Sequence, residues 1–227
     1  MVSKDRFSLP GIVTVLNTPF TERNEVDLDS LCANVEAACD AGVAGFLVPA
    51  MASEVAKLSD KERYRIVDNV LGQVRHRVPV IAGTAATTQA ERLRHARQAI
   101  QAGSEGILVS IPYDDEQQYR EDVRELAALA PGFLMIQDWD FGGYGLPVSL
   151  IQELFDEIDA FRCLKIEVKP AGRKYTEVRE ATRGKLHVSG GGPSCSSSKR
   201  SIAASTPSCR RGCMRSIPLS TPSTTTG

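Results

Sequence analysis

Seven short apolar runs recur along the first 190 residues, and patterns of helical period separate them. The runs begin at Gly11 (GIVTVLNTPF), Ala44 (AGFLVPA), Pro79 (PVIAGTA), Gly106 (GILVSIP), Phe133 (FLMIQDW), Cys163 (CLKIEV) and Lys185 (KLHVSG). Their starts lie roughly 22–35 residues apart, about the length of one strand–loop–helix–loop unit. Several runs are apolar nearly throughout, as parallel strands covered by helices on one or both faces must be.

The intervening segments carry helix signals. Ser59, followed three residues later by Glu62, predicts a capping box ahead of Ile66, Val67 and Val70. Asp27 or Asp29 can start the helix that bears Leu31, Val35 and Ala38. Gly42 and Gly103 fall where a helix ends in a left-handed residue. Strict alternation of strand and helix predicts an α/β fold, a (β/α)8 TIM barrel. A full barrel needs eight strands and about 250 residues. Seven strands are found, so the barrel is read as incomplete.

After Gly190 the pattern stops. The segment GGPSCSSSKRSIAASTPSCRRGCMRSIPLSTPSTTTG has no apolar period and holds five of the chain's 27 basic residues and none of its 28 acidic ones. The expected division is a partial barrel domain over residues 1–191 and a disordered Ser/Thr/Arg-rich tail over 192–227. The tail nonetheless has a period. Ser194, Ser197, Ser198, Ser201, Ser205 and Ser208 fall at the spacing of an amphipathic helix, which serine has no reason to form. A TCN serine codon, displaced by one nucleotide, becomes NTC, which encodes Phe, Leu, Ile or Val. The spacing is therefore read as a helix of the missing eighth unit translated out of frame after about residue 191. On that reading Cys209 and Cys213 are no metal or redox pair, and Arg210, Arg211 and Arg215 are no nucleic-acid tail.

Composition adds little beyond this. The net charge is −1, with 42% apolar residues in a chain of 227, enough for one buried core. Neither a signal sequence nor an apolar run of membrane-spanning length is visible, so a cytoplasmic protein with no membrane or nucleic-acid partner is expected. Cys32, Cys39 and Cys163 are read as reduced thiols. His187, with no second His or Cys close in sequence, reads as a core histidine. No nucleotide-binding glycine loop or metal-ligand cluster appears, and no cofactor is expected.

The residue that carries chemistry is Lys165. In CLKIEV, Cys163, Lys165 and Glu167 alternate with Leu164, Ile166 and Val168, so the lysine points into the barrel while the aliphatic residues face the helices. A lysine in mid-strand is costly unless paired or functional. Removal from water favours the neutral amine, the form that attacks a carbonyl carbon. An internal ion pair with Glu167 or Asp138 is the alternative role.

An ordered set of short motifs narrows the choice. Thr18–Phe20 (TPF) follows the first strand, LSDKER spans Leu58–Arg63, PVIAGT spans Pro79–Thr84, and Pro112–Tyr113 end the fourth strand. In order and spacing these resemble the Schiff-base lyase family that includes dihydrodipicolinate synthase and N-acetylneuraminate lyase, over residues 11 to about 191. The resemblance implies that Lys165 condenses with a 2-keto acid, usually pyruvate, and that the iminium serves in aldol cleavage or condensation. It implies a carbon–carbon or carbon–oxygen lyase needing no cofactor, a small-molecule partner and a homo-oligomer.

The departures from the family are as informative. Where it commonly has Gly-Thr-Thr-Gly-Glu, this chain has Ala50-Met51-Ala52-Ser53-Glu54, without either threonine. The proton-transferring tyrosine, 28 residues before the lysine, is Gln137, and the tyrosine after the strand-four pair is Asp114. Ser53, Tyr113, Gln137 and Asp138 are the candidate substrate-binding residues, and Asp138 and Asp140 the candidate substitute proton carriers. The competing reading is a non-catalytic relative or an inactive frameshifted fragment.

Overall fold

A computed structural model of the chain describes residues 9–140 and 142–190. The proposed tail, 192–227, lies outside them. Seven parallel strands alternate with six helices: β1 (Val13–Val15), α1 (Leu28–Asp40), β2 (Gly45–Val48), α2 (Asp60–Val74), β3 (Val80–Gly83), α3 (Gln89–Ala102), β4 (Gly106–Val109), α4 (Glu116–Ala128), β5 (Phe133–Asp140), α5 (Val148–Glu157), β6 (Phe161–Val168), α6 (Ala171–Ala181) and β7 (His187–Gly190). The sheet order is β1 to β7 without a crossover, each strand parallel to the next. This is the α/β, partly closed barrel that the spacing predicts. Among the described residues, β1 and β7 each have a neighbour on one side only.

Local chemistry starts the helices where expected. Asp27 caps α1 by accepting from the Ser30 amide at 3.0 Å. Ser59 and Glu62 form the reciprocal capping box of α2, and Thr88 with Glu91 repeats it on α3. Gly103 closes α3 with φ +98°.

Alternation along the strands separates two apolar layers. Leu47, Ile81, Leu108, Phe133, Met135 and Cys163 point to the concave side with Val13 and Val15, and fill the barrel interior. Leu134, Ile136, Leu164, Ile166 and Val168 point the other way, where they meet Val123 and Leu126 of α4, Leu150 and Leu154 of α5 and Val178 of α6. A smaller cluster of Phe46, Val48 and Val80 with Leu31, Val35, Ile66 and Val70 packs α1 and α2 onto β2 and β3. Gly83 is required at the end of β3, since a Cβ there would overlap the carbonyl oxygen of Pro49. No helix among the described residues is long and apolar enough to cross a membrane.

Candidate active site

The C-terminal ends of β5, β6 and β7 bring together the polar residues of the concave face. Register pairs Gln137 with Lys165, Trp139 with Glu167, and Lys165 with Ser189. Below this layer Cys163 lies opposite His187 and packs with Leu47, Ile81, Leu108 and Met135 in the apolar interior cluster. Burial pushes the Cys163 thiol up to about 12, so it is inert, and burial also holds the His187 imidazole below its ordinary value.

Lys165 projects into the barrel from β6, as alternation predicts. Its Nζ lies 3.3 Å from Glu167 Oε1, and both side chains are 13% exposed. The amide of Gln137 completes the group by donating through Nε2 to Glu167 Oε2. Two side chains, Lys165 on the same strand and Gln137 on the adjacent one, therefore share the Glu167 carboxylate. Trp139 and Met51 are about half exposed.

Asp138 is a correction to the expected substrate-binding set. Neighbours on a strand face opposite sides, so with Gln137 inside, Asp138 points into the helix layer, away from Lys165. There it is 1% exposed, accepts from the Leu146 amide at 2.9 Å and faces Lys174 Nζ of α6 at 3.1 Å. Lys174 is fully buried and donates to the carbonyls of Tyr144 and Leu146, with Nζ 4.4 Å from the centre of the Tyr144 ring. Burial drives Asp138 above the usual carboxylate range and Lys174 below the usual ammonium range, against their mutual attraction. Gly145, with φ +68°, lets the loop approach, because a Cβ there would overlap Asp138 Oδ1. The cluster clamps the loop after β5 onto α6.

Ser53 is buried, and its hydroxyl is committed to the backbone. Oγ donates to the Leu16 carbonyl at 2.5 Å and accepts from the Ala50 amide at 3.0 Å, while the Ser53 carbonyl accepts from Thr18 Oγ1 at 2.7 Å. The residue ties the loop after β1 to the loop after β2. Tyr113 follows β4, partly exposed, and donates to Glu116 on α4 at 3.2 Å. Of the candidate residues, Lys165 and Gln137 are the pair that the register joins. Asp140 accepts from the Gly142 amide at 2.9 Å and the Gly145 amide at 3.2 Å, and so serves the turn that follows β5. A cavity of about 20 Å³, bordered by Arg63, Tyr64, Ala82 and His95, belongs to the helix layer between α2 and α3 and not to the Lys165 face. Among the described residues, no group of three or more His, Cys, Asp or Glu could hold a metal ion.

This geometry is that of a lysine inside a parallel α/β barrel, and comparison with known proteins specifies the class. Residues 8–127 match the model of the dihydrodipicolinate synthetase family, and the chain belongs to that family. The match ends before β5, so Gln137, Lys165 and Glu167 lie beyond it. The chain is 31% identical over 183 residues to 4-hydroxy-tetrahydrodipicolinate synthase of Sorangium cellulosum, covering 77% of this chain and 58% of that one. It is 35% identical over 139 residues to the enzyme of that name from Kineococcus radiotolerans, covering 61% and 42%. A solved structure from Pseudomonas aeruginosa, described as a dihydrodipicolinate synthetase, superposes with a TM-score of 0.75 at 28% identity, over 81% of this chain and 64% of that one. N-acetylneuraminate lyase of Fusobacterium nucleatum, complexed with pyruvate, shares the fold at a TM-score of 0.74 and 19% identity, over 81% and 63%. The chain thus spans less than two thirds of the length of these relatives.

Proposed function

We propose that this chain carries the site of a lyase or aldolase in which Lys165 forms a Schiff base with a pyruvate-like 2-keto acid. A carbon–carbon or carbon–oxygen bond of the substrate is then made or broken. The observation that supports this most is the position of Lys165 on the concave face of β6, enclosed by neighbouring strands yet 13% exposed. A primary amine there can meet a small carbonyl compound entering from the C-terminal end of the strands, where barrel enzymes keep their chemistry. The partner is the small-molecule acid, and a homo-oligomer is the assembly that the family resemblance implies. Asp138, clamped on the far side of β5, takes no part in binding.

A second reading, a non-catalytic relative or inactive fragment, draws on particular residues. Met51 and Ala52 replace the hydroxyls that the family resemblance leads one to expect, and Ser53 spends its own on Leu16. Turnover with pyruvate-releasing substrates is therefore expected to be slow. The test is a panel of 4-hydroxy-2-keto acids, with pyruvate release followed at neutral pH. Slow release above the buffer rate for at least one member is expected, whereas no release from any favours the second reading.

We further infer that residues 192–227 are translated out of frame, on the strength of the serine spacing from Ser194 to Ser208. Resequencing the gene around the Gly191 codon should show an open second frame that encodes an apolar helix and strand. An immediate stop codon in that frame would count against it.

A further inference from the structure

Converting a lysine and a ketone into an iminium moves several protons. The ammonium must lose one before nitrogen can attack, and the carbonyl oxygen must gain two before it departs as water. A group touching Nζ has to carry them. Gln137, opposite Lys165 on β5, is a neutral amide and cannot do so. Glu167 can.

We propose that Glu167 is the catalytic acid–base of the Lys165 site and that Gln137 is its positioning residue, a role that rests on the Schiff-base reading. Two independent contacts support this. Glu167 Oε1 lies 3.3 Å from Lys165 Nζ, within reach of direct proton exchange once a substrate draws the two together. Oε2 accepts from Gln137 Nε2, which fixes the rotation of the carboxylate and leaves Oε1 turned to the amine. The spacing has a simple cause. Residues two apart on a strand share a face, so Lys165 and Glu167 project side by side while Ile166 enters the helix layer. Glu167 is also nearer the C-terminal end of the strand, the side from which a substrate arrives.

The proton inventory closes with this one carboxylate. Glu167 takes a proton from the Lys165 ammonium, giving a neutral amine and a neutral acid. Nitrogen adds to the keto carbon, the carbonyl π pair moves to oxygen, and oxygen takes the proton from Glu167. The regenerated carboxylate then removes a proton from the positively charged nitrogen of this adduct. Finally it returns that proton to the hydroxyl, which leaves as water while the nitrogen lone pair forms the C=N bond. The net change is ammonium plus ketone to iminium plus water, and Glu167 ends as it began. No oxidant, metal or second acid is required.

The alternative is that Glu167 is only a counter-charge to the lysine, in which case its removal would leave adduct formation as fast or faster. The two roles predict opposite signs. The full chain is mixed with pyruvate, quenched with borohydride at timed intervals, and the reduced adduct at Lys165 is quantified by peptide mass spectrometry. Glu167→Gln should slow adduct formation by about 10²-fold or more, the usual range for loss of a positioned acid–base. Glu167→Ala should be slowed similarly and accelerated by added formate, a small carboxylate able to enter the vacated space. Gln137→Leu should slow it less. Adduct formation in Glu167→Gln as fast as, or faster than, in the parent would overturn the role while leaving the Schiff base standing. Slowing in Glu167→Ala that formate does not relieve would also overturn it, as a loss of structure. No adduct at Lys165 in the parent chain would overturn both.

Discussion

Replacing Lys165 by alanine should reduce pyruvate release from any active 4-hydroxy-2-keto acid to the rate in buffer. The expectation is complete loss because the amine is the covalent partner itself. Lys165→Arg sharpens the test. Arginine keeps the positive charge and can still pair with Glu167, but its guanidinium stays protonated and does not add to a carbonyl. If Lys165 acted only as a counter-charge, Lys165→Arg would retain most of the activity. Unfolding distinguishes a chemical from a structural failure, because Lys165 lies on the concave face of β6 and contributes no apolar contact to the helix layer. Its replacement should therefore leave the unfolding midpoint close to that of the parent. Release by Lys165→Ala at the parent's rate would remove the lysine from the mechanism.

The largest loss of stability is expected from Asp138→Ala. This change leaves the Lys174 ammonium, fully buried in the helix layer, without its carboxylate. Breaking a buried pair from one side typically costs about 3–5 kcal/mol, against a total stability of about 5–15 kcal/mol for a domain. The Leu146 amide also loses its acceptor, so the loop that Lys174 holds through the Tyr144 and Leu146 carbonyls should loosen with it. Urea unfolding measures the effect. A cost below about 1 kcal/mol would show that water reaches Lys174 and that the clamp does not fix the loop. Because burial outweighs attraction for both partners, the pair reads as a device that fixes where the loop sits more than as a source of stability.

The strands were legible because parallel strands covered by helices are apolar nearly throughout, and all seven begin within a few residues of the apolar runs that predicted them. The inward face of β6 was legible too, since alternation places the two charged residues, Lys165 and Glu167, on one side with Cys163 and the aliphatic residues on the other. The outward turn of Asp138 follows from the same rule once Gln137 is placed inside, for two adjacent strand residues cannot share a face. What the sequence could not supply was register. That Gln137 and not Asp138 or Asp140 lies opposite Lys165 depends on how far β5 slides along β6, and this is set by packing distant from the site. The choice of Lys174 as the partner of Asp138 depends on the placement of α6, which no local spacing encodes. Ser53 shows another limit. A hydroxyl near a site can bind a ligand or the backbone, and here the Leu16 carbonyl claims it.

The central claim, that Lys165 is the Schiff-base residue, is tested most directly by mapping the covalent product. The full chain, incubated with pyruvate, reduced with borohydride and digested, should carry a single reduced pyruvate-derived group on the peptide containing Lys165, in a pyruvate-dependent manner. Modification on Lys169 or Lys174 instead, or turnover of a 2-keto acid with no reducible adduct on any lysine, would contradict it.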